Sequence, residues 1–206
     1  MTFPDKKFDG IGGFFDAYMT TYQHAAGSVD HQQMAKAADL LMNCYQRSST
    51  LFSCGNGGSA AISNHLMCDH LKGCRTDTDF RPRVVSLSSN IETITAVGND
   101  IGFADIFRYQ LSSLAASGDV LITISSSGDS ENIVRAVDWA LQNDMQVIAM
   151  TGFDGGRTAK MATVNLHVDA DNYGVVEDVH QSLMHILAQF IRLQKMDASL
   201  VTKCKF

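Results

Sequence analysis

The chain has 206 residues, of which 45% are hydrophobic and 18% charged, as is typical of one soluble α/β domain with a sizeable core. Its net charge of −6 argues against a nucleic-acid partner, because the long-range field of the protein would repel phosphates. No run approaches the roughly 18 apolar residues that span a membrane, and the five scattered cysteines form no C-x-x-C pair, so we expect a reduced, cytoplasmic protein without membrane contacts.

The N-terminal part of the chain is predicted to form two helices, over residues 11–25 and 29–47. Apolar side chains recur at helical spacing in both, among them Phe14, Tyr18 and Leu41. Because both helices precede the first predicted strand, we expect an antiparallel pair that packs on the rest of the domain or on a second subunit.

From residue 50 onward, short apolar runs alternate with amphipathic stretches. The apolar runs predict strands at residues 50–53, 83–87, 120–124, 146–150 and 164–168. The stretches between them predict helices at residues 59–72, 91–98, 103–115, 130–143 and 155–162. Repeated strand–helix units predict a three-layer α/β fold, in which a five-stranded parallel sheet is flanked by helices and binds ligands at the carboxyl ends of its strands.

A long amphipathic helix is predicted near the C-terminus, over residues 174–194. No low-complexity tract, internal repeat or proline-rich linker divides the chain. We therefore expect a single domain over residues 1–206, with N-terminal helices at 11–47, an α/β core at 50–170 and the C-terminal helix against it.

The first predicted strand runs into a glycine-rich loop, Gly55-Asn56-Gly57-Gly58-Ser59, before the next helix. Glycines at such a junction let the backbone turn tightly and aim N–H groups outward, and the new helix adds the positive end of its dipole, so the loop suits a phosphate. His65 and Asp69 follow at i and i+4, on one face of that helix. Such a pair is more often a plain hydrogen-bonded pair than a metal site, but above an anion cradle it indicates an enzyme of phosphorylated small molecules.

A serine-rich loop, residues 125–130, repeats this arrangement after the third predicted strand. Its hydroxyls and its glycine turn at a helix N-terminus supply several donors to one anion. The alternative is helix capping alone, with Ser127 or Asp129 as the N-cap. Two such loops at the carboxyl ends of two strands favour a shared site for a sugar phosphate.

Two further polar segments are weaker signals. Asn99 and Asp100 stand in a turn that can line the cleft, although turn chemistry alone also explains them. In the last predicted helix, Glu177 and His185 add an acid and an imidazole to an otherwise amphipathic element. We interpret His180, between them, as a solvated or interface residue.

Taken in order, these motifs resemble the sugar-isomerase (SIS) domain of sedoheptulose 7-phosphate isomerases over about residues 30–195. The segments that carry the resemblance are residues 54–61, His65 with Asp69, and residues 98–103, 124–130, 151–156 and 185–187. The resemblance implies a flavodoxin-like sheet and a homotetramer with active sites at subunit interfaces. It also implies conversion of sedoheptulose 7-phosphate to D-glycero-D-manno-heptose 7-phosphate through an enediol, for bacterial heptose synthesis (lipopolysaccharide or capsule).

The resemblance also implies roles for individual residues. The substrate-binding set is Asn56, Gly57, Ser59, Asn99, Asp100, Ser125, Ser127 and Ser130. The ligands of a zinc ion, one per subunit, are His65, Asp69, Glu177 and His185, a set that also suits iron or manganese. Asp69 and His185 are the acid–base pair, and Glu177 can take over the duties of the base.

The chain departs from the family at the metal site. The family usually has Glu at position 69 and Gln at position 177, and the chain is about one residue shorter near residues 173–176. Two carboxylates would neutralise a divalent ion, so we expect tighter metal binding and weaker Lewis acidity. Residues 177 and 185 stand about 12 Å apart along an ideal helix, which makes a shared ion demanding.

Two other functions fit the same motifs. One is a non-catalytic SIS module that senses a sugar phosphate or bridges partners, as in regulators of replication initiation. The other is an isomerase of a different sugar phosphate, such as an arabinose or glucosamine phosphate. The presence of His65, Asp69 and His185 favours an enzyme, because a pure scaffold does not need them.

Overall fold

Five parallel strands form the central sheet of the computed structural model, which describes residues 2–206. The strands are β1 (Thr50–Gly55), β2 (Arg83–Ser86), β3 (Val120–Ser125), β4 (Gln146–Thr151) and β5 (Val164–His167). They lie in the order β2-β1-β3-β4-β5, and every neighbouring pair is parallel. This is the flavodoxin-like order, so the predicted sheet is confirmed.

Helices cover both faces of the sheet. They are α1 (Ile11–Gly27), α2 (His31–Gln46), α3 (Gly58–Cys68), α4 (Ile91–Asp100), α5 (Ile106–Leu114), α6 (Glu131–Gln142), α7 (Thr158–Met161) and α8 (Tyr173–Lys195). One core lies between the sheet and α2, α3 and α8, and the other between the sheet and α4, α5 and α6. Alternate residues of β3 serve the two cores, with Ile122 in the first and Leu121 in the second.

Three predicted helices differ from the observed ones in length or type. The helix predicted at 59–72 is regular only to Cys68 and continues as a π-helical turn, Asp69–Gly73. The helix predicted at 103–115 begins with a 3₁₀ turn, Phe103–Asp105. The helix predicted at 155–162 is reduced to α7, because Gly155 and Gly156 adopt the left-handed conformation, which a helix does not accept.

The N-terminal helices pack on the domain itself. Tyr18 of α1 donates a hydrogen bond to Asp178 of α8 at 2.6 Å, and Tyr22 bonds Ser182 at 2.8 Å. Asp30 caps α2 by accepting the N–H of Gln32 at 2.7 Å. Among the helices of residues 2–206, none is long and apolar enough to cross a membrane.

The order of the strands fixes where a ligand binds. From β1 the chain crosses to β2 on one side, whereas β3 lies on the other side, so the connections leave β1 and β3 in opposite directions. Such a point opens a crevice at the carboxyl ends of the two strands. Gly55, the last residue of β1, pairs with Ile124 of β3, so the glycine loop and the serine loop emerge side by side at this crevice.

Candidate active site

The glycine loop turns the chain from β1 directly into α3. Gly57 takes a positive φ of 53° immediately before the helix, a conformation that favours glycine. A Cβ at Gly55 would stand 2.5 Å from the carbonyl oxygen of Ser59, so the turn closes only around a residue without a side chain. The first N–H groups of α3 therefore point towards the crevice, as an anion site requires.

The serine loop follows β3 and carries its hydroxyls at the entrance to α6. Ser125 accepts the N–H of Gly128 at 3.2 Å, and Ser127 accepts the N–H of Asp129 at 3.3 Å. Ser130 is the N-cap residue of α6, but its side chain makes no capping hydrogen bond within the described chain. The Ser126 hydroxyl is buried and has no hydrogen-bond partner among residues 2–206, which is the situation of a donor that a ligand satisfies.

The loop after β4 supports the serine loop from behind. A Cβ at Gly128 would collide with the carbonyl oxygen of Gly155, and the Thr158 hydroxyl donates to the Gly128 carbonyl at 3.0 Å. Arg157 forms a salt bridge with Asp129 and donates to the Asp129 carbonyl oxygen at 2.9 Å. These contacts hold the backbone of the serine loop in one conformation.

The two loops enclose a small cavity of about 110 Å³. It is lined by Asn56, Ser59, Ile124, Ser125, Ser126, Ser127, Ser130, Tyr173 and Glu177. Asn56 is fixed by Asn132, since the two side-chain amides exchange a pair of hydrogen bonds of 2.9 Å each. Hydroxyls, amides and helix N-termini dominate the lining, as they do in a phosphate cradle.

Glu177 closes this cradle from the side of α8. A Cβ at Gly58 would stand 2.7 Å from Glu177 Cδ, so only glycine at position 58 lets the carboxylate approach the start of α3. Partial burial, aided by the neighbouring charge of Asp178, raises the pKa of Glu177 above that of an ordinary carboxyl group.

Further along the same two helices, His65, Asp69 and His185 form a second polar group. Asp69 Oδ2 lies 2.7 Å from His185 Nδ1, and Asp69 Oδ1 lies 3.4 Å from His65 Nε2. One ligand atom from each of the three residues lies within 4.8 Å of the others. The imidazole rings meet edge to face at 4.9 Å. Two imidazoles and a carboxylate in this arrangement can hold a divalent cation.

A fourth side chain, Gln181, joins this group. Its amide nitrogen lies 2.9 Å from His65 Nδ1 and 2.9 Å from His185 Nε2. The group opens on a cavity of about 390 Å³, to whose lining Asp69 and His185 both contribute. A ligand that enters this cavity therefore has direct access to the acid and the imidazole.

The structure divides the predicted site residues into these two groups. The cradle is lined by Asn56, Ser59, Ser125, Ser127, Ser130 and Glu177. Gly57 does not line it but forms the turn of the glycine loop with its positive φ. The second group consists of His65, Asp69 and His185, and Glu177 lies outside it. Asn99 and Asp100 lie exposed at the end of α4, where Asn99 donates to Asp100 at 2.7 Å, and neither lines the cradle.

The interpretation of His180 as a solvated or interface residue is wrong. The residue is fully buried and faces the sheet, where its Nε2–H donates to the Thr151 carbonyl at 3.2 Å. Burial lowers its pKa to about 4. Four further residues line or support the two groups although no sequence pattern singled them out: Ser126, Asn132, Tyr173 and Gln181. Of these, only Ser126 had a signal, namely its place inside the serine loop.

The chain is similar in sequence to known proteins over most of its length. The family model for the SIS domain matches residues 14–152. The phosphoheptose isomerase of Shewanella pealeana is 34% identical over 163 residues, which are 78% of this chain and 82% of the relative. That of Colwellia psychrerythraea is 34% identical over 172 residues, 82% of this chain and 87% of the relative.

Two solved structures are similar over an even larger part of the chain. Phosphoheptose isomerase GmhA from Neisseria gonorrhoeae has a TM-score of 0.80 at 33% identity, covering 88% of this chain and 96% of its own. A phosphoheptose isomerase from Francisella tularensis has a TM-score of 0.81 at 32% identity, covering 94% of this chain and 100% of its own. The similarity thus extends over nearly the whole chain and is not limited to one motif.

Proposed function

The chain belongs to the phosphoheptose isomerase family of SIS-domain proteins, and on this premise we infer that it is an aldose–ketose isomerase of sedoheptulose 7-phosphate. Its product is D-glycero-D-manno-heptose 7-phosphate, a precursor of bacterial heptoses. The observation that carries this function is the placement of a phosphate cradle and an Asp–His pair along one pair of helices. We take residues 1–206 as one SIS domain.

The phosphate of the substrate binds in the cradle. Hydroxyls of the predicted serines, the N–H groups at the start of α3 and the Ser126 hydroxyl, which has no partner within residues 2–206, donate to its oxygens. Asn56, held by Asn132, keeps the glycine loop beside the serine loop. Asn99 and Asp100 remain predicted substrate contacts, although both lie outside the cradle.

The orientation of the sugar follows from where its two ends must lie. Gly58 meets Glu177 and Asp69 meets His185, so α3 and α8 run side by side in the same direction. The phosphate is on C7, whereas the carbonyl is on C2, at the opposite end of the sugar. With C7 at the cradle, the sugar extends along α8, on which His185 lies about 12 Å beyond Glu177.

The reaction needs one proton moved between C1 and C2 and another between their oxygens. We propose that the Asp69 carboxylate removes the proton from C1, the C–H electrons form the enediol double bond, and His185 protonates the carbonyl oxygen. Asp69 then gives its proton to C2 while His185 takes the proton of the C1 hydroxyl, so that C1 becomes the aldehyde carbon and both side chains return to their starting protonation states. The 2.7 Å hydrogen bond between the two side chains supports this pairing.

Glu177 is the third catalytic residue that we propose. Its carboxylate lines the phosphate cradle on the side of α8, and we expect it to contact hydroxyls of the bound sugar there. Its raised pKa suits a carboxyl group that takes up and returns a proton during the reaction.

We further propose one zinc ion per subunit, held by His65, Asp69 and His185. The donor set fits, since two imidazoles and one carboxylate offer ligand atoms within 4.8 Å of one another. When bound, such an ion polarises a substrate oxygen as a Lewis acid. Glu177, the fourth predicted ligand, stands beside Gly58, and its role as a ligand stays a prediction.

A homotetramer is the proposed assembly. Large apolar side chains are exposed on two helices, with Phe15 and Met19 on α1 and Ile186, Phe190 and Leu193 on α8. Such faces are typical of subunit contacts.

The test is direct turnover of the purified protein. We expect sedoheptulose 7-phosphate to give the aldoheptose phosphate in an NMR assay, chelation to lower the rate, and added zinc to restore it. His185→Ala is the control variant, and it should abolish turnover while the protein stays folded. Conversion of an arabinose or glucosamine phosphate in its place would identify a different substrate, and phosphate binding without any turnover would indicate a sensing module.

A further inference from the structure

We propose that Arg192 is a positioning residue of the active site, because it holds the chain segment that follows Asp69 against α8. The inference rests on the proposed function, in which Asp69 and His185 form the acid–base pair. Arg192 lies seven residues after His185, so the two side chains share a face of α8 and are about 10 Å apart along its axis. Arg192 acts through the backbone after Asp69 and not by contact with the sugar.

Successive contacts join α8 to the π-helical turn and to the residues after it. The Asp–His pair is the first of them, and one turn later the Ala188 carbonyl accepts the thiol of Cys74 at 3.4 Å. A further turn along α8, the Nε–H of Arg192 donates to the Thr76 carbonyl at 3.1 Å. Because the contributing α8 residues stand at i, i+3 and i+7, the segment after α3 follows one face of α8.

The Arg192 contact is stronger than the thiol contact before it. The Arg192 side chain is buried, and its Nη2 donates to Asp77 Oδ2 at 2.7 Å in a salt bridge. The planar guanidinium thus binds the carbonyl of one residue and the carboxylate of the next, which a lysine ammonium cannot do in the same fixed geometry. Asp77 has a positive φ of 58°, uncommon outside glycine, and the salt bridge stabilises the turn that requires it.

Further contacts to the guanidinium come from residues after α8. The Nη1 of Arg192 donates to the Lys205 carbonyl at 3.1 Å, and the centroid of the Phe206 ring lies 4.7 Å from the guanidinium carbon. An aromatic face stabilises a cation and keeps water away from it, which strengthens the hydrogen bonds that the cation makes. Arg192 is therefore held in one orientation by groups on both sides of it, as a positioning residue must be.

The π-helical turn explains why an anchor matters at this point of the chain. Asp69 is the first residue of this turn, a geometry that is rare and persists where neighbouring contacts hold it. Without Arg192, the end of the turn keeps the weak thiol contact but loses its charged anchor, so Asp69 can move with the turn away from His185. A shift of about 1 Å in a catalytic group lowers the rate about 100-fold.

Steady-state kinetics with sedoheptulose 7-phosphate are the first test. We expect Arg192→Met to lower kcat about 10- to 100-fold and to leave KM within about twofold of the wild type, because the phosphate cradle is untouched. Lys195→Met is the matched control, since it removes the same charge from the same end of α8 at an exposed position, and it should keep wild-type kinetics. Asp77→Asn keeps an oxygen acceptor and tolerates the left-handed conformation, so it should retain most of the activity, whereas Asp77→Gly should lower kcat about tenfold.

The second test needs no turnover. A carboxylate only accepts hydrogen bonds, so the His185 proton that faces Asp69 is on Nδ1. In metal-free, full-length protein labelled with ¹⁵N-histidine, this proton should give a downfield NMR signal, assigned by its loss in His185→Ala. The signal should shift or disappear in Arg192→Met and stay in place in Lys195→Met. If Arg192→Met does not fold, Phe206→Ala at a half-exposed position replaces it and should shift the same signal.

The outcomes separate this proposal from the proposed function. A wild-type kcat in folded Arg192→Met would overturn the role of Arg192, and so would an unchanged His185 signal in that variant or in the Phe206→Ala protein that replaces it. Urea unfolding gives the folded fraction, and a kcat that equals the wild-type value once corrected for this fraction would show a purely structural role. A wild type without turnover would refute the proposed function, whereas the NMR comparison would still decide whether Arg192 positions Asp69.

Discussion

Gly58→Ala tests whether the position of the Glu177 carboxylate matters for the reaction. A methyl group at residue 58 would stand 2.7 Å from Glu177 Cδ and 2.8 Å from Oε1, and closer still to Oε2. Ordinary contact begins at 3.4 Å, so the carboxylate must retreat by about 1 Å. Displacement of a catalytic group by that distance lowers kcat about 100-fold.

The same change should leave the fold almost as stable as before. Gly58 is the first residue of α3, and alanine is favoured over glycine in a helix by about 0.5–1 kcal/mol. This gain opposes the strain of moving Glu177, whose side chain is only partly buried and can shift towards solvent. We expect the free energy of unfolding to change by less than about 1 kcal/mol.

Steady-state kinetics with sedoheptulose 7-phosphate and urea unfolding together form the assay. Gly12→Ala is the matched control, because a Cβ at that position in α1 meets no atom of the described chain within 4 Å. It should keep wild-type kinetics. Full activity in Gly58→Ala would refute the role of Glu177, and a loss of activity that parallels a loss of stability would show that the defect lies in the fold.

Two further predictions concern the serine loop and the buried core. Arg157→Met removes the guanidinium that holds Asp129, so it should raise KM for the sugar phosphate several-fold with little change in kcat. The control is Arg135→Met, because Arg135 pairs with Glu131 elsewhere in the same ion-pair network, and this variant should leave KM unchanged. Equal effects of the two variants on KM would contradict the prediction. The pKa of His180 is lowered to about 4 in the folded protein, whereas it is about 6.5 in the unfolded chain. Between these two pH values the proton binds at this residue mainly in the unfolded chain, so the free energy of unfolding falls as the pH drops from about 6.5 towards 4. Between pH 7 and pH 5, protonation of this histidine in the unfolded chain should lower the free energy of unfolding, measured with urea, by about 2 kcal/mol. This part of the pH dependence should disappear in His180→Gln.

The sheet and the glycine and serine loops could be predicted because their signals are local. Each strand is a short apolar run, and each loop contains the glycines and hydroxyls that its own backbone needs. The carboxyl ends of parallel strands meet at one edge of the sheet, so their placement in one site followed from the fold class. No contact between distant residues had to be known.

The remaining parts of the site depend on contacts between helices. Periodicity places Glu177, Gln181 and His185 on one helix but does not say which of them meets α3 at which turn. The structure shows Glu177 at the start of α3 and Gln181 beside the imidazoles, a difference of one helical turn that sequence spacing alone does not resolve. The burial of His180 is another such case, since the depth of α8 against the sheet decides whether a histidine is buried.

Asp69 shows how the backbone can adapt to a shorter side chain. The family usually has glutamate at this position, yet Asp69 reaches His185 at 2.7 Å. Regular helix geometry ends immediately before it, and the Asp69 carbonyl accepts the N–H of Cys74, five residues on, at 3.0 Å. In an α-helix residues four apart share a face, whereas in this wider turn Asp69 and Cys74 both contact α8, at His185 and at the Ala188 carbonyl. The π-helical turn thus lets the carboxylate face the imidazole while the chain beyond it stays packed. An aspartate also has one rotatable bond fewer than a glutamate, so less conformational entropy is lost in holding it there.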